Sequence, residues 1–422
     1  MKKVRVALIG AGNRGTVYSE YAEQHPAKME IVAVAEPDES RRKKLADRFQ
    51  LQEKRCFQSW EDMFSLPRFC DAVIITTQDQ MHFEPTMHAL EKGYHVLVEK
   101  PMSHNLRECI LMERKAREKG RLLMVCYVLR YTPFFQKIKE IIKAGVIGEV
   151  RHVGIEMDVG YWHMAHSFVR GNWNNQATSC SMVLAKSCHD FDILSFLLDA
   201  RCESVSSFGD LIHFQKANAP TGSSNRCLDC VIENECPYSA VKIYLGENIE
   251  WPVSTISSDL SMTGRRKALE EGPYGKCVYR CNNDVVDHQI VNMEFSSGTT
   301  ATLTMSGFTQ KLKRTVKILG TKGEVQGTME ENELTVLPFG KDPQHIKMQP
   351  SFFGKHAGGD AGLMEAFVHD VSLGLSGISF PPDERLVESH ILAHAAEESR
   401  LSKRTVNIEE YKRQTIFHSI VS

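Results

Sequence analysis

No apolar stretch in this 422-residue chain approaches the roughly eighteen residues a membrane-crossing helix needs. Neither sign of charge is in excess. With 51 basic and 53 acidic residues, no global field draws in nucleic acid or an anionic membrane. The basic start MKKVRVALIGAG carries an apolar run too short for a signal peptide. Cysteine is not scarce, but 12 thiols in a chain of this size do not make the dense framework of a small secreted domain. Internal repeats and low-complexity tracts are lacking as well. These absences point to a cytoplasmic protein with a small-molecule ligand, long enough for two domains that each have a core.

What is present begins with VALIGAGNRG, residues 6–15, an apolar run that ends in glycines. Such a run predicts a buried parallel strand. Gly10, Gly12 and Gly15 have the G-x-G-x-x-G spacing that lets backbone turn tightly and approach a phosphate, with Asn13 and Arg14 completing a cofactor-binding loop. Glycines also make ordinary turns, so the spacing gains meaning only within a βαβ unit. The chain supplies one. Residues 16–25 predict a helix whose N-terminus faces a pyrophosphate with unpaired N–H groups and a positive dipole end. MEIVAVAEPD predicts a second strand ending at Glu36, roughly twenty residues on, where a carboxylate accepts hydrogen bonds from an adenosine ribose. Glu36 favours NAD over NADP by repelling a 2′-phosphate, while Arg41 and Arg42 close by weaken that preference.

Helices expected over 40–49, 60–64, 84–92 and 106–119 alternate with the strands CDAVIITT, YHVLVEKP and RLLMVCYVL, which makes 1–129 a Rossmann domain. YTPFFQKIKEIIKAGVIGEV then places apolar residues at helical spacing and stops at Gly145. From Val150 the runs RHVGIEMDV, CESVSSFGDLIHF, DHQIVNMEFS, GTTATLTMSGF, RTVKILGTKGEVQGT and NELTVLP are strand-like and joined by Gly and Ser turns. They predict an α/β fold with a second, α+β domain over 130–422, built on an open, mainly antiparallel sheet. Helices over 191–198, 362–375 and 385–402 are expected to cover one face of that sheet, and its open face to leave apolar area for burial. A Cys-rich insertion is expected around 215–281.

The glycine loop, TTQDQMH after a strand, VEKP at 98–101, CHDFD at 188–192 and the closing SHILAHAAEESRLS resemble the Gfo/Idh/MocA family, named for glucose-fructose oxidoreductase and inositol dehydrogenase. The resemblance covers nearly the whole chain. It implies a nicotinamide-dependent oxidoreductase acting on a ring hydroxyl of a sugar, glycoside or cyclitol, assembled as a homodimer or homotetramer. It also implies that Thr76, Thr77 and His82 line the dinucleotide; His82 has the alternative of capping the next helix.

Ligands of an open α/β sheet bind at the carboxyl ends of its strands, so Glu99 and Lys100 point toward the nicotinamide. A lysine there can hydrogen-bond a hydroxyl under oxidation and hold its developing negative charge; a solvated surface lysine is the alternative. His189 fits a general acid/base, because imidazole ordinarily titrates near neutral pH, and is otherwise a half-buried helix histidine. The resemblance implies an acidic residue four positions before this histidine, but Ala185 stands there and Lys186 follows. That departure leaves Lys100, Lys186 and His189 to share the proton relay, or a carboxylate from elsewhere to join them. Asp192, one turn beyond His189, either orients it or is structural.

Substrate contacts are expected from Arg130 and Tyr131 and from the loop YWHMAHSFVRGNWN, with Trp162, His163, His166, Arg170, Asn172 and Trp173. Aromatic rings stack on the apolar face of a sugar while His, Arg and Asn satisfy its hydroxyls. Cys227, Cys230 and Cys236, with Cys277 and Cys281 further on, give a zinc-like thiolate count that would pin the insertion structurally; free thiols and an iron-sulfur cluster are the alternatives. Three activities follow: a sugar dehydrogenase, a glycosidase that recycles tightly held NAD, and a non-catalytic dinucleotide-dependent regulator, against which Lys100 and His189 count.

Overall fold

The computed structural model describes residues 2–349, 358–378 and 385–421. Six short strands, β1 (Val4–Ile9), β2 (Met29–Ala35), β3 (Cys56–Phe57), β4 (Ala72–Ile75), β5 (His95–Val98) and β6 (Leu123–Val125), form a parallel sheet in the order β3-β2-β1-β4-β5-β6. Every residue of β4 and β5 is buried, as a parallel strand covered by helices on both faces requires. The chain leaves β1 toward one edge and returns at β4 to fill the other. A crevice therefore opens at the carboxyl ends of β1 and β4, the place where α/β sheets bind ligands.

The linking helix Pro133–Lys143 starts well: Thr132 accepts the Phe135 N–H, Pro133 sits in the first turn, and Phe134, Phe135, Ile138 and Ile141 are buried on one stripe. Gly145, at φ +66°, ends it.

The second sheet has nine strands: β7 (Val150–Asp158), β8 (Cys202–Asp210), β9 (His288–Phe295), β10 (Thr300–Ser306), β11 (Lys313–Gly320), β12 (Gly323–Thr328), β13 (Glu333–Pro338), β14 (Gln344–Lys347) and β15 (Val406–Asn407). Their order is β14-β13-β12-β11-β7-β10-β9-β8-β15, antiparallel throughout except for β7 beside β10. The buried face alternates Val153, Ile155, Met157 with Ala301, Leu303, Met305. Against it lie the helices Met182–Leu198, where Ser187 touches Met305, and Glu388–Ser402, where the Ser399 hydroxyl accepts the Ser207 N–H.

The other face corrects an expectation. It carries Glu156, Asn292, Thr302, Thr304 and Lys317 beside the exposed Phe208 and the half-buried Ile290, so it is mixed and mostly polar rather than the apolar area expected. Among the described residues no helix is long and apolar enough to cross a membrane.

The insertion folds around a small core of its own, Cys227, Ala240, Tyr244, Val253 and Leu269. Guanidinium groups, one buried and one half-buried, hold it together by donating to backbone carbonyls. Arg226 serves Leu269 and Gly272, and Arg265 serves Tyr244, Gly246 and Asn248.

Candidate active site

The three glycines of the first loop do three different things. Gly10 sits at φ +92°, and a Cβ there would lie 2.8 Å from the Thr76 carbonyl oxygen. A Cβ on Gly15 would lie 2.2 Å from the Gly10 carbonyl oxygen, so only glycine lets helix and strand pack this closely. Gly12 differs: a Cβ there meets nothing within 4 Å, which leaves one bare side of the loop open. The helix Asn13–Gln24 starts at this opening with Gly12 as its N-cap and no side chain capping it. Its first N–H groups and positive dipole end are therefore left for an anion. Thr76 closes the other side by donating its hydroxyl to the Gly10 carbonyl at 2.7 Å. At the end of β2 the buried Glu36 carboxylate accepts the N–H groups of Ala11 (2.7 Å) and Asp38 (3.0 Å), which fixes it beside the loop. Arg42 turns back to the Glu36 and Pro37 carbonyls, whereas Arg41 is exposed. The bare Gly12 side, the uncapped helix start and the fixed acid fit a dinucleotide.

Arg14 departs from its expected place in the loop. Its side chain turns inward, donating Nε to Glu99 at 2.9 Å and pairing with Asp360. Tyr18 donates its hydroxyl to the same Glu99 oxygen at 2.7 Å, and the Lys100 N–H reaches the other at 2.6 Å. Burial alone would push the Glu99 carboxyl up, but Arg14, Lys100 and these hydrogen bonds outweigh it and hold it below the usual carboxylate range. Glu99 is thus an ionised anchor for the end of β5 and sets the direction of Lys100. His82 likewise braces rather than lines an opening: its ring nitrogens face the Pro101 carbonyl at 2.8 Å and the Thr77 carbonyl at 3.1 Å. Thr77 gives its hydroxyl to the Met81 carbonyl.

Lys100 reaches across to the second domain, with Nζ donating to the Ala185 carbonyl at 3.0 Å. That contact places it at the helix turn that carries Lys186 and His189. His189 is buried, edge-on to the Tyr127 ring at 6.1 Å between centroids. Lys186 is half-buried and pushed down to about 7, first by loss of water, then by the charges of Arg314 and Lys100. Asp192 is engaged by Arg130 through a two-point ion pair, Nε to Oδ2 at 3.0 Å. Asp190 points to the sheet, where it pairs with Arg314 of β11.

Of the expected substrate loop, Trp162 stacks on His163 at 5.6 Å and meets Trp251 edge-on at 5.3 Å. Burial and the Lys186 charge hold His163 well below its ordinary range. His166 and Arg170 belong to the insertion instead. His166 bonds the Tyr244 hydroxyl through Nδ1 at 2.8 Å and stacks on Tyr274, and burial pushes it down to about 4. Arg170 donates to the Lys276 and Tyr238 carbonyls, each at 2.7 Å, and to the Cys227 sulfur at 3.5 Å. Its Nε and Nη2 donors are thus committed to protein rather than to a sugar, while the buried Nη1 has no partner among the described residues. Trp173 donates its indole N–H to Asp79 at 2.8 Å; Asn172 is exposed and Tyr131 half-buried.

The expectation of a zinc site is not supported: among the described residues no three His, Cys, Asp or Glu side chains form a metal-holding group. Cys227, Cys230, Cys236 and Cys277 border one small cavity as free thiols, and Cys281 donates to the Cys277 carbonyl at 3.3 Å.

Sequence reasoning missed Tyr127, His390 and Ser389. The His390 Nε2 accepts the Met102 N–H at 2.9 Å, so Nδ1 carries the proton and meets the Tyr127 hydroxyl at 2.8 Å. This chain ties the segment after Lys100 to the helix Glu388–Ser402, and burial pushes His390 down to about 3. The closing SHILAHAA stretch was visible, but nothing in it names Met102 or Tyr127 as partners.

Two family descriptions match the chain: an oxidoreductase family NAD-binding Rossmann fold over residues 4–127, and an oxidoreductase family C-terminal alpha/beta domain over residues 139–408. The chain belongs to the Gfo/Idh/MocA family. Family membership makes it an NAD-binding oxidoreductase by fold. It is 27% identical over 215 residues to scyllo-inositol 2-dehydrogenase (NAD(+)) of Bacillus subtilis (strain 168), covering 50% of this chain and 58% of that protein. It is 28% identical over 228 residues to 2,7-anhydro-N-acetylneuraminate hydratase of Mediterraneibacter gnavus, covering 51% and 54%. The chain thus spans little more than half of these two relatives. An oxidoreductase from Agrobacterium radiobacter, solved with NAD+, L-tartaric acid and magnesium, superposes with a TM-score of 0.70 at 16% identity, over 97% of this chain and 99% of that one. At that identity the likeness speaks for the fold alone.

Proposed function

We propose that this chain transfers hydride between NAD and a secondary hydroxyl of a carbohydrate-type substrate, a sugar, glycoside or cyclitol. The observation that carries the reading is the Lys100 ammonium, aimed by the buried Glu99 anchor and bonded to Ala185 on the helix turn that bears His189. Bound NAD supplies the hydride acceptor. Lys100 holds the substrate hydroxyl and the negative charge that grows on its oxygen. His189 accepts the hydroxyl proton as the C–H bond breaks. Glu36 selects NAD over NADP by facing the adenosine ribose with a carboxylate. Trp162 and His163 form the aromatic wall against which a sugar face packs, and Arg130, held by Asp192, and Tyr131 border it. A homodimer or homotetramer would form on the open face of the nine-stranded sheet.

A second reading is redox recycling, in which transient oxidation acidifies a neighbouring C–H, elimination expels the leaving group, water adds in its place, and hydride returns to the oxidised carbon. The similarity to a hydratase favours keeping it in the test. Purified protein with NAD is incubated with free sugars, cyclitols and aryl glycosides while NADH absorbance and released aglycone are followed together. The dehydrogenase reading expects NADH without release. Release without net NADH supports recycling, and silence in both channels contradicts the proposal.

A further inference from the structure

Around the first turns of the helix Met182–Leu198 the carboxylates already have partners. Glu99 holds Arg14 and Tyr18, Asp192 holds Arg130, Asp190 holds Arg314, and Glu330 accepts the Arg314 N–H at 2.7 Å. One cation there is not matched in this way. Lys186 is half-buried and makes no hydrogen bond or ion pair with any described residue. Beside it the buried His163 leaves Nδ1 without a partner. Position 185, the residue before Lys186, is alanine and supplies no carboxylate.

A half-buried ammonium next to a buried imidazole whose Nδ1 has no partner is stable only while water, or something bound, supplies an acceptor. We propose that the substrate supplies it as a carboxylate, so that the enzyme acts on an acidic sugar of the uronate class, read by Lys186 while Lys100 stays on the reacting hydroxyl. This rests on the proposed hydride transfer and names its substrate class. A single negative charge fits better than a phosphate dianion, because among the described residues around this helix turn Lys186 alone offers an uncommitted ammonium, and Lys100 is already tied to Ala185. The groups facing Lys186 agree. Loss of water pushes its pKa down most, Arg314 and Lys100 add to this, Asp190 and Glu330 oppose them less strongly, and Lys186 ends at about 7. A bound carboxylate favours its charged form.

The test is calorimetry on the protein saturated with NADH, using D-glucuronate and D-galacturonate against the matching uronamides, which keep the shape and lose the charge. At pH 6.5 at least one acid should bind about tenfold tighter than its amide or better, as a hydrogen bond between charged groups allows. Lys186→Met should bring that ratio to about one, and Lys186→Arg should keep it. Above pH 7 the acid's affinity should fall while the amide's stays level, since the free lysine must first take up a proton. A ratio near one for both pairs, the same ratio in Lys186→Met, or tighter binding of glucose 6-phosphate than of either uronate overturns the proposal. Binding to the NADH complex needs no turnover, so the two readings fail separately. Acid preference without oxidation of any substrate sinks the dehydrogenase reading, whereas oxidation of neutral sugars with no acid preference sinks the carboxylate.

Discussion

Gly12→Ala and Gly15→Ala, made three residues apart in one loop, should fail in different ways. Gly12 has φ −73° and ψ −162°, an extended conformation open to alanine, and its added methyl would meet nothing within 4 Å. The variant should therefore keep its stability to within about 0.5 kcal/mol. The methyl would occupy the side of the loop where a pyrophosphate approaches the helix start. NADH should bind about tenfold more weakly or worse, roughly 1.4 kcal/mol. Gly15→Ala instead sets Cβ at 2.2 Å from the Gly10 carbonyl oxygen and 2.8 Å from the Thr76 hydroxyl. The first neighbour is backbone and cannot swing aside, so overpacking should cost about 1–3 kcal/mol. Urea midpoints read the stability, and NADH fluorescence titration reads the affinity. Wild-type NADH affinity in Gly12→Ala, or a stability loss equal to that of Gly15→Ala, would refute the assignment of the open side to the cofactor.

Two further outcomes follow from buried charge. Arg314→Met leaves Asp190 without its cation inside the protein and should cost about 3–5 kcal/mol in urea unfolding, part of which Asp190→Asn in the same chain restores. Burial holds His95, His166 and His394 at about 4 and His390 at about 3, against about 6.5 in the unfolded chain. Between those values the unfolded state binds more protons. Stability should thus be full above pH 6.5 and fall as the pH drops toward 4, by about 1.4 kcal/mol per group and pH unit. Equal urea midpoints at pH 7.5 and 5.5 would contradict the buried placement of these rings.

Features written in neighbouring residues were legible in the sequence. The glycine spacing, Glu36 at the end of a strand and Lys100 at the end of another stand where the local pattern put them. Long-range partners were not legible. Arg14 looked like a loop residue because Glu99 and Asp360 lie 85 and 346 positions away, and Arg170 looked like a sugar contact because its carbonyl partners sit in the insertion. The helix expected over 191–198 in fact begins at Met182. Nearly all of it is buried, Lys186, Phe196 and Leu198 excepted, so no polar face marks its period. Cysteine spacing suggested a metal, but spacing does not say where the thiols point.

Lys100 is assigned to the chemistry rather than to cofactor binding. The direct measurement is NADH formation by wild type and Lys100→Ala on a sugar the wild type oxidises, with NAD affinity determined on the same samples. A fall of about a hundredfold or more in kcat, with NAD affinity little changed, is the expected result. Unchanged turnover would contradict it, as would a loss of turnover fully explained by lost NAD binding.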